Sequence, residues 1–281
     1  RKLPIPILSP ISTKPANFTN HAFIWKLFIL MIHLNIIMTR WLDPPHTEIP
    51  PAIKQLDLHP LVAGALVNRG CKDPESVRSF LHPDELASTP YPDLESGSIG
   101  GIARALERVN QAFQKKETIC VWGDFDVDGQ TSTALLVQTL RALSADVVYY
   151  IPIRGRESHG LHIDSLKHLL EHGVKLVITC DTGISAHAPV DYAASCGVDV
   201  IVTDHHDPGE TLPNAQAVIN PKFLPDDHPL ATLAGVGVAY KFAESLLDSK
   251  EKSAKLLDLV ALGLIADVAI LRGETRSLVH R

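Results

Sequence analysis

From residue 101 onward, nearly all-apolar runs alternate with helical repeats, and this rhythm constrains the fold more than any other feature of the chain. Residues 101–115 place Ile102, Ala105, Leu106, Val109 and Phe113 at helical spacing. Strands are then expected at 118–122, 146–153, 175–180 and 199–203, and a short one at 217–219. Helices are expected at 131–143, 164–172, 186–196, 234–247 and 253–266, the last apolar over most of its surface and therefore buried. Continuous apolar strands separated by helices indicate a sheet buried on both faces. The expected fold class is α/β: a doubly wound, mostly parallel sheet with helices on both faces and a small helical N-terminal layer.

In such a sheet ligands bind outside the carboxyl ends of the strands, and acidic and imidazole residues recur there. The first strand, ending at Trp122, runs into Asp124, Asp126 and Asp128; Gly129 then opens the following helix. Three carboxylates within five residues repel one another, and hard oxygen donors at this density suit Mg²⁺ or Mn²⁺. The strand ending at Cys180 leads into Asp181-Thr182-Gly183, and the strand ending at Thr203 leads into Asp204-His205-His206-Asp207. Neighbours in an extended segment point in opposite directions, so His205 and His206 are expected to do different jobs. Asp267 is a lone acid at an apolar helix end, and a buried carboxylate needs a partner: a metal, a helix cap or a cation.

Composition narrows the classes. The 281 residues are 45% hydrophobic, enough for one large domain or two modest ones. The net charge of −6 excludes a globally basic nucleic-acid binder and leaves only a local phosphate groove. The four cysteines form no Cys-x-x-Cys pair, which argues against a zinc site and against a disulfide framework. A reducing cytoplasm is the expected location. The chain begins with Arg1, and residues 1–37 contain no Asp or Glu. We expect the natural start at Met38, with 1–37 a poorly structured leader or upstream translation. The apolar run 23–38 is interrupted by Lys26, His33 and Asn35 and is short against the ~20 residues that a spanning helix needs. No stable membrane association is expected. Residues 38–100 read as a helical segment with helices at 60–69 and 73–81.

Five motifs in order resemble the DHH phosphoesterase family, and most closely its RecJ branch of single-strand-specific DNA exonucleases. They are Gly123-Asp124-Phe125-Asp126-Val127-Asp128-Gly129, Asp181-Thr182-Gly183-Ile184-Ser185, Asp204-His205-His206, Asn220-Pro221-Lys222 and Gly263-Leu264-Ile265-Ala266-Asp267-Val268. The helix start around Gly235-Val236-Gly237 is also similar. Trp122 stands where small-substrate branches carry a His, which favours the RecJ branch. The resemblance implies that Asp126, Asp128, Asp181, His205 and Asp267 hold two Mn²⁺ or Mg²⁺ ions, with Asp181 bridging. Asp124 is implied as a ligand or its support, and His206 as the contact to the scissile phosphate or the attacking water. Arg154, Arg156 and Lys222 become candidates for backbone phosphates, and the amides at Gly235 and Gly237 for a phosphate at a helix start; close helix packing is the alternative reason for those glycines.

The implied function is two-metal, 5′-to-3′ exonucleolytic hydrolysis of single-stranded DNA to mononucleotides in repair and recombination, in company with a single-strand-binding protein and a helicase. Rival readings are a phosphoesterase for short oligonucleotides or cyclic dinucleotides, and an inactive binding or scaffold homologue. The chain departs from the family pattern at Thr182 (usually Asn), at Ser158-His159-Gly160-Leu161 (usually Gly-Tyr-Gly-Leu) and at Ile270-Leu271 (usually Pro-Leu). Residues 101–281 are expected to be the catalytic domain, without the C-terminal substrate domain and OB-fold of such proteins.

Overall fold

The computed structural model describes residues 47–94 and 99–281. The expectations for residues 1–37 therefore lie outside the described residues. Ile49–Arg281 form one compact unit.

The unit begins with three short helices, α1 (Pro51–Lys54), α2 (Pro60–Asn68) and α3 (Pro74–Leu81). Each starts on a proline, whose missing N–H is not needed in a first turn. A reciprocal cap fixes the start of α3: Ser76 N–H donates to the Asp73 carboxylate at 2.8 Å, and Asp73 N–H donates to Ser76 Oγ at 3.1 Å. Ile53, Ala63, Leu66, Cys71 and Val77 form a small core of their own.

The sheet follows. Helix α4 (Ile102–Lys115) leads into β1 (Thr118–Trp122), and α5 (Val127–Ala142) into β2 (Val147–Tyr150). Helix α6 (Ile163–Glu171) leads into β3 (Val174–Cys180), and α7 (His187–Ser195) into β4 (Asp199–Thr203); β5 (Ala217–Ile219) closes the sheet. All five strands are parallel, in the order β2-β1-β3-β4-β5. Side chains alternate between the faces, as a pleated strand requires. Val121, Ile178 and Ile201 join one core with α5 residues Leu135, Leu136 and Leu140; Cys120, Trp122, Val177, Val200 and Val202 join the other with Leu166 and Val190. Helices cover both faces, as expected. Beyond the sheet come α8 (Gly235–Leu247), α9 (Lys250–Ala254), α10 (Leu257–Ala266) and α11 (Gly273–His280). Helix α11 ties back to the first helices: Arg276 Nε–H donates to the Phe80 carbonyl at 2.8 Å, and its guanidinium lies 4.0 Å from the Phe80 ring centre.

Four expectations need correction. Helix α5 starts at Val127 rather than Thr131, because Asp126 caps it by accepting from Gly129 N–H at 2.8 Å. Strand β2 stops at Tyr150, two residues before Pro152, which cannot donate to a ladder. The single helix expected at 253–266 is two helices: the backbone tightens at Lys255 and Leu256, and Leu256 turns inward to 3% exposure. Nor is α10 buried all round. Val260, Gly263 and Leu264 face the core, whereas Leu262 and Ile265 are 55% and 58% exposed.

Candidate metal centre

The strand order sets where a site can form. The chain passes from β1 outward to β2, then returns past β1 to β3, so the crevice between the carboxyl ends of β1 and β3 is the topological switch point. Register brings the tips level. Trp122 pairs with Thr179, Cys180 with Thr203, and Thr203 with Ile219. The segments carrying Asp124 to Asp128, Asp181 and Asp204 to His206 therefore leave the sheet along one edge.

Two groups of donors converge there, Asp181 with His205 and His206, and Asp128 with His205 and Asp267; within each, the ligand atoms lie within 4.8 Å of one another. His205 is common to both. Its Nε2 lies 3.0 Å from Asp181 Oδ1 and 3.8 Å from Asp128 Oδ2. The imidazoles of His205 and His206 do not point in opposite directions; their ring centres are 4.5 Å apart, because the chain has left the strand at Thr203.

Local structure fixes each member. Asp181 is held at φ +59°, a left-handed conformation rare outside glycine, while its N–H donates to the Thr203 carbonyl at 3.0 Å. Asp128 is clamped by the start of α8: Gly235 N–H and Val236 N–H donate to its two oxygens at 2.7 and 2.8 Å. The positive end of the helix thus faces a buried carboxylate. Gly235 makes this approach possible, since a Cβ there would stand 2.6 Å from Asp181 Cβ. The Gly235 amide serves Asp128 rather than a phosphate, and a Cβ at Gly237 would stand 2.7 Å from Leu233, so close packing accounts for both residues being glycine.

Burial and repulsion dominate the electrostatics. Desolvation, reinforced by Asp128 and Asp126, pushes the Asp181 carboxyl up to about 10. Desolvation lifts Asp128 to about 6, even with two amides and His205 pulling it down. Asp204, absent from the expected site residues, organises the imidazole side. Its Oδ1 accepts from His205 N–H, His206 N–H and His206 Nδ1–H at 2.7, 3.2 and 2.7 Å, and its Oδ2 accepts from Ile184 N–H at 2.9 Å. Burial alone would raise Asp204; His206 and the backbone donors outweigh it and hold the carboxyl below its usual range. The same hydrogen bond raises His206 to about 9. An acid directly before a histidine pair was the available signal for this role.

Other expected residues stand outside the two groups. Asp126 is engaged as the cap of α5. Asp124 accepts from Phe125 N–H at 2.5 Å and from His159 Nδ1–H at 2.8 Å. Asp267, by contrast, belongs to the second group, but it is exposed at the end of α10, so the expected cost of burying it does not arise. Arg154 and Arg156 are exposed on the loop after β2, with the Arg154 guanidinium 4.7 Å from the Phe125 ring centre. Lys222 pairs with Asp207 at 3.0 Å.

The donors fit a hard divalent cation. Asp181 Oδ1 is buried with no hydrogen-bond partner, although His205 Nε2 lies 3.0 Å away. The two atoms are close without bonding to each other. Neighbouring ligands of one octahedral ion, each at ~2.1 Å, stand about 3.0 Å apart. Carboxylates with imidazole are also the donor types that Mn²⁺ accepts.

Comparison with known proteins agrees. Residues 118–264 match the DHH family, N-terminal domain. The single-stranded-DNA-specific exonuclease RecJ of Bacillus subtilis (strain 168) is 42% identical over 233 residues, which cover 83% of this chain and 29% of that protein. Two crystal structures of RecJ from Thermus thermophilus, in complex with Mn²⁺ and with Mg²⁺, each cover 83% of this chain. They are 32% and 28% identical, have TM-scores of 0.63 and 0.53, and are themselves covered over 33% and 30% of their length. The chain thus spans about a third of the length of these relatives. Among the described residues no helix is long and apolar enough to cross a membrane. With a family match over more than half its length and two groups of ligand atoms at its switch point, the chain belongs to the DHH family.

Proposed function

We propose that this chain carries the catalytic centre of a divalent-metal-dependent exonuclease that degrades single-stranded DNA, from the 5′ end to mononucleotides, in DNA repair and recombination. The observation that carries the reading is the convergence of Asp181, His205 and His206 with Asp128 and Asp267 at the switch point between β1 and β3. Residues 101–281 form the catalytic domain, and the helical segment before it is a supporting layer.

Asp126, Asp128, Asp181, His205 and Asp267 would hold two ions, Mn²⁺ or Mg²⁺. Bound there, such ions activate water and stabilise charge on phosphoryl oxygens. The protein supplies placement. The α8 amides hold Asp128 in one orientation, so its carboxylate does not reorganise during turnover. Asp204 accepts a hydrogen bond from His206 Nδ1–H and leaves Nε2 for a phosphate oxygen; an imidazole raised to about 9 is cationic at neutral pH and donates there. Arg154 and Arg156 stand on the neighbouring loop for backbone phosphates. The exposed Lys222–Asp207 pair contributes little to stability, so Lys222 can exchange that carboxylate for a phosphate.

The test is Asp181→Asn. Mn²⁺-dependent degradation of a 5′-phosphorylated single strand is expected to fall by about a thousandfold or more, while circular dichroism shows the fold retained. Near-normal turnover in the variant ends the proposal. A series of substrate lengths separates it from action on short oligonucleotides, which would favour the shortest members.

A further inference from the structure

The loop between β2 and α6 is fastened to the tip of β1 by one side chain that the metal reading leaves unused. His159 Nδ1–H donates to Asp124 Oδ2 at 2.8 Å, and its ring lies 4.1 Å, centre to centre, from Phe125. The two ends of the hydrogen bond differ sharply: the His159 side chain is 66% exposed, whereas that of Asp124 is 4% exposed. Asp124 has little freedom left. A Cβ on Gly129 would stand 2.6 Å from Asp124 Cβ, so the residue sits hard against the first turn of α5. Phe125 N–H holds Oδ1. Rotation of the carboxylate about its own bond is what remains, and His159 removes it by holding Oδ2.

We propose that His159 is a positioning residue of the metal centre: its imidazole fixes the Asp124 carboxylate on the segment that leads from β1 to Asp126 and Asp128 and, through Phe125, steadies the Arg154 guanidinium. This rests on the metal reading above. The family pattern has Tyr at this position in the loop; a tyrosine ring can stack on Phe125 but has no donor at the position of Nδ1. The shape of the loop does not depend on the His159–Asp124 hydrogen bond. Glu157 holds the base of the loop by accepting from Tyr150 Oη–H, Ser165 Oγ–H and Ile153 N–H at 2.6, 2.6 and 3.0 Å. Trp122 Nε1–H donates to the Gly160 carbonyl at 3.2 Å. Changes at His159 should then act on Asp124 without unfolding the segment.

Two variants separate the donor from the ring. His159→Asn places an amide N–H near Nδ1 but has no ring; His159→Phe keeps the ring and removes the donor. The readout is Mn²⁺ affinity by calorimetry or by loss of the free-ion spin-resonance signal, in the whole chain without DNA. Partners of metal ligands typically contribute about 10–100-fold in affinity, so His159→Phe is expected to weaken Mn²⁺ binding by about tenfold or more and His159→Asn by less than about threefold. In single-strand degradation the Phe variant's deficit should narrow as Mn²⁺ is raised. Wild-type affinity in the Phe variant, or equal loss in both variants, overturns the assignment of His159 while leaving the metal reading standing. A wild-type chain that binds no Mn²⁺ overturns both.

Discussion

Asp181 concentrates three unfavourable features that one cation relieves: a left-handed backbone, a buried carboxylate beside two others, and an oxygen without a partner. This has a sign in pH. Asp128 and Asp181 both titrate above the ordinary carboxylate value, at about 6 and about 10, so the metal-free fold binds protons that the unfolded chain has released. Stability of the metal-free protein must then fall as pH rises from about 4, with the Asp128 share gone once pH passes about 6 and the Asp181 share still being lost above it. His206, raised to about 9, adds to the decline at the upper end. Asp204, Asp73 and Glu157, all lowered, act only below about pH 5. Denaturant midpoints measured with a chelator should be lower at pH 8 than at pH 5, and saturating Mn²⁺ should remove most of the difference. A metal-free midpoint that rises with pH would contradict the assignment. Gly235 gives a second test. Ala is favoured over Gly inside a helix by about 1 kcal/mol. Here, however, the added Cβ meets Asp181 Cβ at 2.6 Å, and overpacking costs about 1–3 kcal/mol. Gly235→Ala should therefore be net destabilising and weaken Mn²⁺ binding; a gain in thermal stability would show that the helix start is not seated against the site.

At the scale of elements, helix α5 shows what the sequence reveals and what it hides. The strands were legible because β1, β3 and β4 are short apolar runs with no competing period, and parallel order followed from the helices between them. Convergence of three strand tips then needed only the edge rule for such sheets. The start of α5 was not legible: Asp126 reads equally as ligand and as cap, and only the backbone shows Gly129 N–H bonded to it. The Asp128 clamp was hidden for another reason. Its donors lie 107 and 108 residues away in sequence, and nothing local marks an amide as turned toward a carboxylate. Asp124 and His159 are likewise 35 residues apart. The double role of Asp126 can be separated. Asn caps a helix as well as Asp, so Asp126→Asn should keep α5 intact and, by removing one charge beside Asp181, leave the metal-free protein no less stable. Asp126→Ala should lose about 1 kcal/mol of stability through the cap. If Asp126 is also a ligand, both variants bind Mn²⁺ more weakly than wild type; a role as cap alone predicts normal affinity in the Asn variant.

For the whole molecule, the centre draws on widely separated parts of the chain: Asp128 from the first turn of α5, Asp181 after β3, the histidines after β4, Asp267 at the end of α10, and the α8 amides behind Asp128. The same elements form the larger core, where Leu135, Ile178, Ile201, Val236 and Leu264 pack together. The candidate ligands therefore sit on several elements of one core, and binding an ion there would not stabilise one of them alone. An ion that binds the fold and not the unfolded chain adds about 2.7 kcal/mol at a hundredfold excess over its dissociation constant. For a unit of this size each kcal/mol raises Tm by roughly 2–4 °C, so Mn²⁺ should raise the midpoint by roughly 5–11 °C in a single transition. Asp181→Asn should lose most of that shift yet unfold at a higher temperature than wild type when both are free of metal, because the metal-free fold must otherwise keep a proton on this buried carboxyl that the unfolded chain releases. Calorimetric scans with and without Mn²⁺ on both proteins give all four midpoints. A metal-dependent rise confined to an early, partial transition would mean that the strand tips and the core are not thermodynamically joined.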